Sequence, residues 1–88
     1  DYKKEASNRI IRLLQERLKD YDGIIDAETN LYILGLDSLT YVKFLIDVED
    51  SFHIEFDEWV LQLNAFKKLG DLVEYVENIQ ERREHAEL

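Results

Sequence analysis

Ser38, near the middle of the chain, has neighbours that would make its hydroxyl available for chemistry. Gly35 permits a turn with positive φ, because glycine adopts that conformation without steric cost. Asp37 is a favoured N-cap residue, since its carboxylate can accept bonds from N–H groups of a first helical turn. Leu36 and Leu39 flank the serine and are expected to anchor both sides of the junction. The pattern predicts a helix that starts at Ser38 and leaves its side chain in solvent.

Two uses of such a hydroxyl can be weighed from the residues alone. The first is helix capping, for which Asp and Ser are favoured anyway, and the Asp50-Ser51 pair shows how little the bare dipeptide indicates. The second is nucleophilic catalysis, which requires a base within hydrogen-bond reach. Of the two histidines, His53 follows the far end of the predicted helix and His85 lies in a charged tail. We therefore predict no catalytic residue and no enzyme.

The stretch Gly35-Leu36-Asp37-Ser38-Leu39 resembles the Gly-x-Asp-Ser-Leu motif of the acyl carrier protein family. Asn30-Leu31-x-x-Leu34 before it, and residues 52–56 and 69–76 after it, resemble other landmarks of that family, so the likeness covers nearly the whole chain. It implies an all-α fold, a four-helix bundle of acyl-carrier type with a long first loop and a short third helix. It also implies 4′-phosphopantetheine as a covalent cofactor on Ser38, with Asp37 part of what the phosphopantetheinyl transferase recognises.

This attachment is chemically reasonable at Ser38. A phosphodiester at a helix N-terminus meets the positive end of the helix dipole and unpaired N–H groups. The chain contains no cysteine, which excludes disulfides, thiolate zinc sites and cysteine nucleophiles. The thiol for a thioester would therefore come from the attached arm, and partner enzymes would perform the reactions.

The periodicity of apolar residues predicts one domain over 1–88, with a helical core at about 4–80 and a charged tail at about 81–88. The first helix is predicted over 4–19, and a long, apolar and therefore packed loop connects it to Asp37. The second helix is predicted over 38–51 and a short third helix over 57–64. The last helix is expected to begin near Lys68, a weaker cap than the threonine often found there in the family.

The second helix carries two apolar sectors, and together they are wider than a small bundle normally buries from one helix. One sector is predicted to face the core: Tyr41, Phe44, Leu45 and Val48. The adjacent sector, with charged positions beside it, is predicted to bind partner enzymes: Leu39, Val42, Lys43, Ile46, Glu49 and Asp50.

Several acids in and before the first loop invite comparison with a calcium-binding loop: Asp20, Asp22, Asp26 and Glu28. The EF-hand loop needs oxygen ligands at alternate positions and a glycine at the sixth. Counting from Asp20, the fifth and sixth positions are Ile24 and Ile25. We therefore predict no metal site.

The net charge of −9, from 20 acidic and 11 basic residues, argues against nucleic-acid binding and favours partners with basic patches. No apolar run approaches the roughly 20 residues that span a bilayer, so we expect a cytoplasmic monomer without membrane association.

The sequence thus predicts a carrier that holds acyl or aminoacyl intermediates as thioesters on a Ser38-linked arm, served by loading and tailoring enzymes. Lys43 stands where bacterial fatty-acid carriers usually have glutamate, which favours a dedicated polyketide, nonribosomal peptide or related pathway over general fatty-acid synthesis. An unmodified helical protein–protein interaction module remains the alternative.

Overall fold

A computed structural model describes residues 2–86 of the chain. In this range the elements are α1 (Tyr2–Arg17), α2 (Ser38–Phe52), a 3-10 helix (Glu58–Leu61) and α3 (Leu69–Ala86). Between residues 2 and 86 the only extended pairing is an isolated antiparallel bridge between Asn30 and Lys68. The all-α class is confirmed, but the count of four helices is not, because three α-helices and one 3-10 turn are present.

The short third helix predicted over 57–64 is a single 3-10 turn that ends at Leu61. Within that turn only Val60 is buried, and Gln62 already has an extended backbone. An isolated turn with so little apolar burial cannot propagate, because helix formation needs several consecutive turns to offset its nucleation cost. The turn is held instead by a tertiary contact, since the Tyr41 hydroxyl donates to the Val60 carbonyl at 2.8 Å.

Each α-helix contributes one apolar face to a single core. The predicted core sector of α2 is confirmed, because its four residues are fully buried: Tyr41, Phe44, Leu45 and Val48. Opposite it lie buried residues of α1 (Ala6, Ile10, Leu14) and of α3 (Leu69, Leu72, Val73, Val76). α3 continues to Ala86, past residue 80, where the helical core was predicted to end. Residues 87 and 88 of the predicted charged tail lie outside the described range.

The loop over 18–37 is packed against the core, but only in part. Its buried residues are Ile25, Leu31, Leu34 and Leu36. Three other apolar residues of the loop do not follow the predicted packing: Ile24 and Ile33 are 84% and 77% exposed, and Tyr32 is also exposed. The loop therefore has both buried and exposed apolar side chains.

The loop also caps α3. The N–H groups of Leu69 and Gly70 donate to the carbonyls of Thr29 and Ala27 at 2.9 and 2.8 Å. A Cβ on Gly70 would lie 2.9 Å from the Ala27 carbonyl oxygen, so glycine allows this close approach. The weak side-chain cap expected at Lys68 is therefore offset by loop carbonyls that bond the first turn.

No helix in the described range is both long enough and apolar enough to cross a membrane.

Candidate functional site

Ser38 is the first residue of α2, and its side chain is exposed. Asp37 immediately before it has an extended backbone (φ −87°, ψ 170°), and its Oδ1 accepts the Thr40 N–H at 2.7 Å. The Asp37 carbonyl accepts the Tyr41 N–H at 2.9 Å, which closes the first helical turn. The predicted helix start and the predicted cap are both present.

The turn before α2 depends on Gly35, whose φ is +73°. A Cβ at this position would meet no atom within 4 Å, so the backbone conformation, not space, requires glycine. Leu34 and Leu36 on either side of it are buried, whereas Leu39 is 64% exposed. The expectation that Leu36 and Leu39 both anchor the junction is therefore wrong for Leu39, and the buried anchor lies on the loop side only.

The charges around Ser38 follow from the cap. The pKa of Asp37 is lowered, chiefly because its carboxylate accepts the Thr40 N–H bond, and the positive charge of Lys43 lowers it further. N–H groups in the first turn of a helix have no partner within the helix, and the helix dipole adds partial positive charge there. An exposed hydroxyl beside such groups fits a phosphodiester, because helix N-termini stabilise phosphate oxygens.

Neither histidine has the position of a base for Ser38. His53 follows the C-terminal end of α2, and a helix of 15 residues is about 20 Å long. The side chain of His85 lies outside the described part of the chain. Among the described residues, no group of three or more acids or histidines is arranged to bind a metal ion.

Most of the predicted partner-binding residues share the exposed side of α2. Leu39 and Ile46 are 64% and 46% exposed, Val42 is half-buried, and Lys43 is exposed. Asp50 is exposed at the far end of the helix. We call Leu39, Val42, Lys43 and Ile46 the docking face.

Glu49 differs from this expectation. Its Oε2 accepts the Phe56 N–H at 2.7 Å, and its carbonyl accepts the Ile54 N–H at 3.0 Å. The side chain therefore fixes the chain that leaves α2, and one of its two carboxylate oxygens is already bonded within the molecule. Glu49 therefore has a structural role in addition to its predicted role in partner binding.

The role of a second acid of α2, Asp47, was not predicted from the sequence. Asp47 accepts two bonds from the Arg17 guanidinium, at 2.7 and 3.0 Å, which joins the end of α1 to α2. These bonds raise the pKa of Arg17. No local pattern could reveal this pair, because its members are 30 positions apart and both read as solvated surface residues.

Two further arginines close the C-terminal end of α2. Arg9 donates to the Ser51 carbonyl at 3.1 Å, and its guanidinium lies 4.6 Å above the centre of the Phe52 ring. Arg83 donates to the Phe52 carbonyl at 3.2 Å and also to the His53 carbonyl. We call Arg9 and Arg83 the arginine clamp. It satisfies carbonyls that a helix end leaves unpaired, with the charge that the helix dipole favours.

Comparison with known proteins agrees with this geometry. The family described as "Phosphopantetheine attachment site" matches residues 8–76, a range that includes Ser38. Members of that family carry 4′-phosphopantetheine covalently on a serine. The non-reducing polyketide synthase pkbA of Emericella nidulans is 38% identical over 72 residues, which is 82% of this chain and 3% of that protein. The chain therefore spans a very small part of the length of this relative.

Proposed function

Because the chain belongs to the phosphopantetheine attachment site family, we propose that it is a carrier domain whose Ser38 holds 4′-phosphopantetheine. The observation that carries this assignment is the exposed Ser38 hydroxyl at the first residue of α2, directly after the Asp37 cap. When bound, the group supplies the thiol on which acyl or aminoacyl thioesters form, and the chain has no cysteine of its own.

The residues around Ser38 serve attachment in different ways. Asp37 fixes the first turn through its bond to Thr40, so the serine hydroxyl projects from a defined backbone. The first-turn N–H groups favour the phosphodiester charge. Asp37 is also proposed as part of the surface that the phosphopantetheinyl transferase recognises.

For the pathway, we infer that the carried intermediates belong to polyketide synthesis. The support is the similarity to a stretch of a non-reducing polyketide synthase. The exposed Lys43 on the docking face agrees with a dedicated pathway, as the sequence indicated. Nonribosomal peptide synthesis and general fatty-acid synthesis are the alternatives within the carrier class.

Partner enzymes are proposed to bind the docking face. Carrier domains in general work with a phosphopantetheinyl transferase and with modifying and tailoring enzymes. Leu39 and Ile46 offer apolar area next to Ser38, and Asp50 offers a negative charge at the far end of the same helix. We propose that the domain acts as a monomer without catalysing a reaction itself, because domains of this family are typically non-catalytic.

Intact mass spectrometry tests the assignment after incubation with coenzyme A, magnesium and a broad-specificity phosphopantetheinyl transferase. The wild type is expected to gain one phosphopantetheine and Ser38→Ala none. Ser51→Ala is the matched control, because Asp50-Ser51 repeats the Asp-Ser pair at the other end of α2, and it should load normally. A folded wild type that gains no mass would contradict the carrier function and favour an unmodified interaction module.

A further inference from the structure

Tyr41 is the first buried residue of α2 after the exposed Ser38. It lies three residues after Ser38 on α2, so the two side chains share one side of the helix about 4.5 Å apart along its axis. Ser38 is exposed, whereas Tyr41 is fully buried. The Tyr41 hydroxyl donates to the Val60 carbonyl at 2.8 Å, so the side chain extends from α2 to the 3-10 helix.

The contact between Tyr41 and Val60 resists opening. A buried hydroxyl that loses its partner suffers the full penalty of desolvation, and the Val60 carbonyl would lose its partner at the same time. Burial also raises the pKa of Tyr41 to about 12, in agreement with its enclosed position. Phe44 and Leu45, three and four residues after Tyr41 on the same helix, are also fully buried.

The 3-10 helix is fastened on its other side as well. The Tyr75 hydroxyl of α3 donates to Asp57 Oδ2 at 3.3 Å, immediately before the turn. The Trp59 ring packs against the rings of Phe66 and Tyr75, with centroids 5.5 and 5.4 Å apart. Movement of the turn away from α2 would therefore disturb contacts with α3 too.

Two grooves on the surface are lined mainly by polar and charged side chains. One of about 660 Å³ lies between α1 and α2 and is lined mainly by charged side chains, among them Glu16, Lys19 and Asp50. Another of about 830 Å³ lies at the C-terminal end of α2 and includes His53, Glu55 and Arg83. Neither is lined by Tyr41 or by its buried neighbours, and an alkyl chain gains little by contact with charged walls.

We propose that Tyr41 closes the seam between α2 and the 3-10 helix, so that an alkyl chain linked to Ser38 stays outside the core. This inference rests on the proposed function and narrows its cargo. Short acyl groups, or polyketide-type thioesters with keto and hydroxyl groups, remain hydrated at the surface. Long saturated chains would stay exposed to water, which is unfavourable, so they are not the cargo for which this bundle is built.

The test loads Ser38 with phosphopantetheine or octanoyl-phosphopantetheine from the corresponding coenzyme A derivative, and intact mass confirms each product. Backbone amide NMR shifts and melting temperatures are then compared between the two forms. In the wild type, octanoylation should change shifts only near Ser38 and leave the melting temperature within about 1 °C, because burial of an alkyl chain would raise it by several degrees.

Variants at Tyr41 complete the test. Tyr41→Ala opens space one turn from Ser38, so octanoylation should raise its melting temperature by about 5 °C and shift the amides of Phe44, Leu45 and Val60. Tyr41→Phe keeps the ring but loses the bond to Val60, so its octanoyl-dependent gain should lie between those of the wild type and Tyr41→Ala. Leu14→Ala creates a core cavity from α1, away from the seam, and should show no octanoyl-dependent gain.

The outcomes separate the two hypotheses. Normal loading of the wild type followed by octanoyl-dependent shifts at Phe44, Leu45 and Val60 would overturn the inference and leave the proposed function intact. Absence of any mass gain would overturn the proposed function itself. If Tyr41→Ala does not fold, the wild type still decides the question, because it must exclude the chain.

Discussion

The two ends of α2 are finished in different ways. At the N-terminal end, the side-chain cap is the Asp37 carboxylate, which bonds the Thr40 N–H, and Ser38 beside it is exposed. The preceding turn uses Gly35 at φ +73°, a conformation that glycine adopts without strain. This end is defined by local contacts and is open to solvent.

The C-terminal end is closed by distant parts of the chain. The carbonyls of Ser51, Phe52 and His53 accept bonds from the arginine clamp, which comes from α1 and α3. His53 has the left-handed conformation, with φ 55°, without being glycine.

The difference shows how one helix can be fixed at its C-terminal end and still present an exposed hydroxyl at its N-terminal end. Tertiary bonds fix α2 at the end where no chemistry is proposed, so the other end needs only a local cap to present its hydroxyl. The N–H groups at the start of α2 that the Asp37 cap does not bond can stabilise a bound phosphodiester. Stability and attachment are therefore expected to respond to different substitutions.

The largest effect is expected from removing the arginine clamp. Arg9→Ala combined with Arg83→Ala deletes charge-assisted bonds to three carbonyls and the Phe52 stacking contact. The free energy of unfolding should fall by about 2 kcal/mol, since bonds to charged groups contribute about 1.5–3 kcal/mol each when well shielded and less when partly exposed. Phosphopantetheine loading of the folded fraction should be unchanged.

Urea denaturation and the mass assay measure the two quantities. The matched control is Arg12→Ala with Arg82→Ala, which removes the same charge from exposed positions of the same two helices. Equal destabilisation by both double variants would contradict the clamp, because the effect would then come from net charge alone.

The clamp also marks where sequence reasoning reaches its limit. The start of α2 and its core sector were predictable, because capping and helical periodicity are local properties that a short window records. Arg9 and Ser51 are 42 positions apart, and Arg83 and Phe52 are 31 apart. Nothing in the surroundings of either arginine distinguishes it from a solvated charge.

The prediction of a third helix over 57–64 was wrong for a related reason. Trp59, Val60 and Leu63 give a partial apolar stripe, but the backbone of this segment is set by the Tyr41 bond from another helix. Two acids of α2 show the same limit, since no local pattern indicated that Asp47 bonds to Arg17 or that Glu49 bonds to the Phe56 N–H. Long-range polar contacts decided each of these cases.

A smaller and opposite effect is expected from His53→Gly. A non-glycine residue in the left-handed conformation costs about 1–2 kcal/mol, and glycine avoids this cost. Part of the gain is lost, because glycine gives the unfolded chain more conformational entropy. The variant should therefore raise the free energy of unfolding by about 0.5–1 kcal/mol, because the Arg83 bond to the carbonyl at this position is retained. Urea denaturation measures the change.

Gly35→Ala makes the opposite change at the N-terminal end of α2. It places a side chain at φ +73° and should lower the free energy of unfolding by about 1 kcal/mol. A His53→Gly variant less stable than the wild type would show that the imidazole contributes contacts that outweigh its backbone strain.

The smallest effect is expected from Asp37→Asn, which distinguishes the charge of Asp37 from its hydrogen bond to the Thr40 N–H. The pKa of Asp37 is lowered in the folded chain, first by the Thr40 N–H bond, from an ordinary value of 3.8. A lowered folded-state pKa means that the ionised carboxylate stabilises the fold above the unfolded-state pKa, and that this contribution disappears as pH falls through the folded-state pKa. Asp37→Asn keeps an oxygen acceptor for Thr40 but has no charge to titrate.

The melting temperature of Asp37→Asn should therefore fall less steeply than that of the wild type on acidification below about pH 4, in parallel scans from about pH 6 to pH 2. Asp50→Asn, which removes an exposed acid from the other end of α2, should keep the wild-type slope. Equal slopes for all three proteins would mean that the cap acts through hydrogen bonding alone. In that case the open end would be set by geometry without help from the charge of Asp37, and Asn would present Ser38 as well as Asp does.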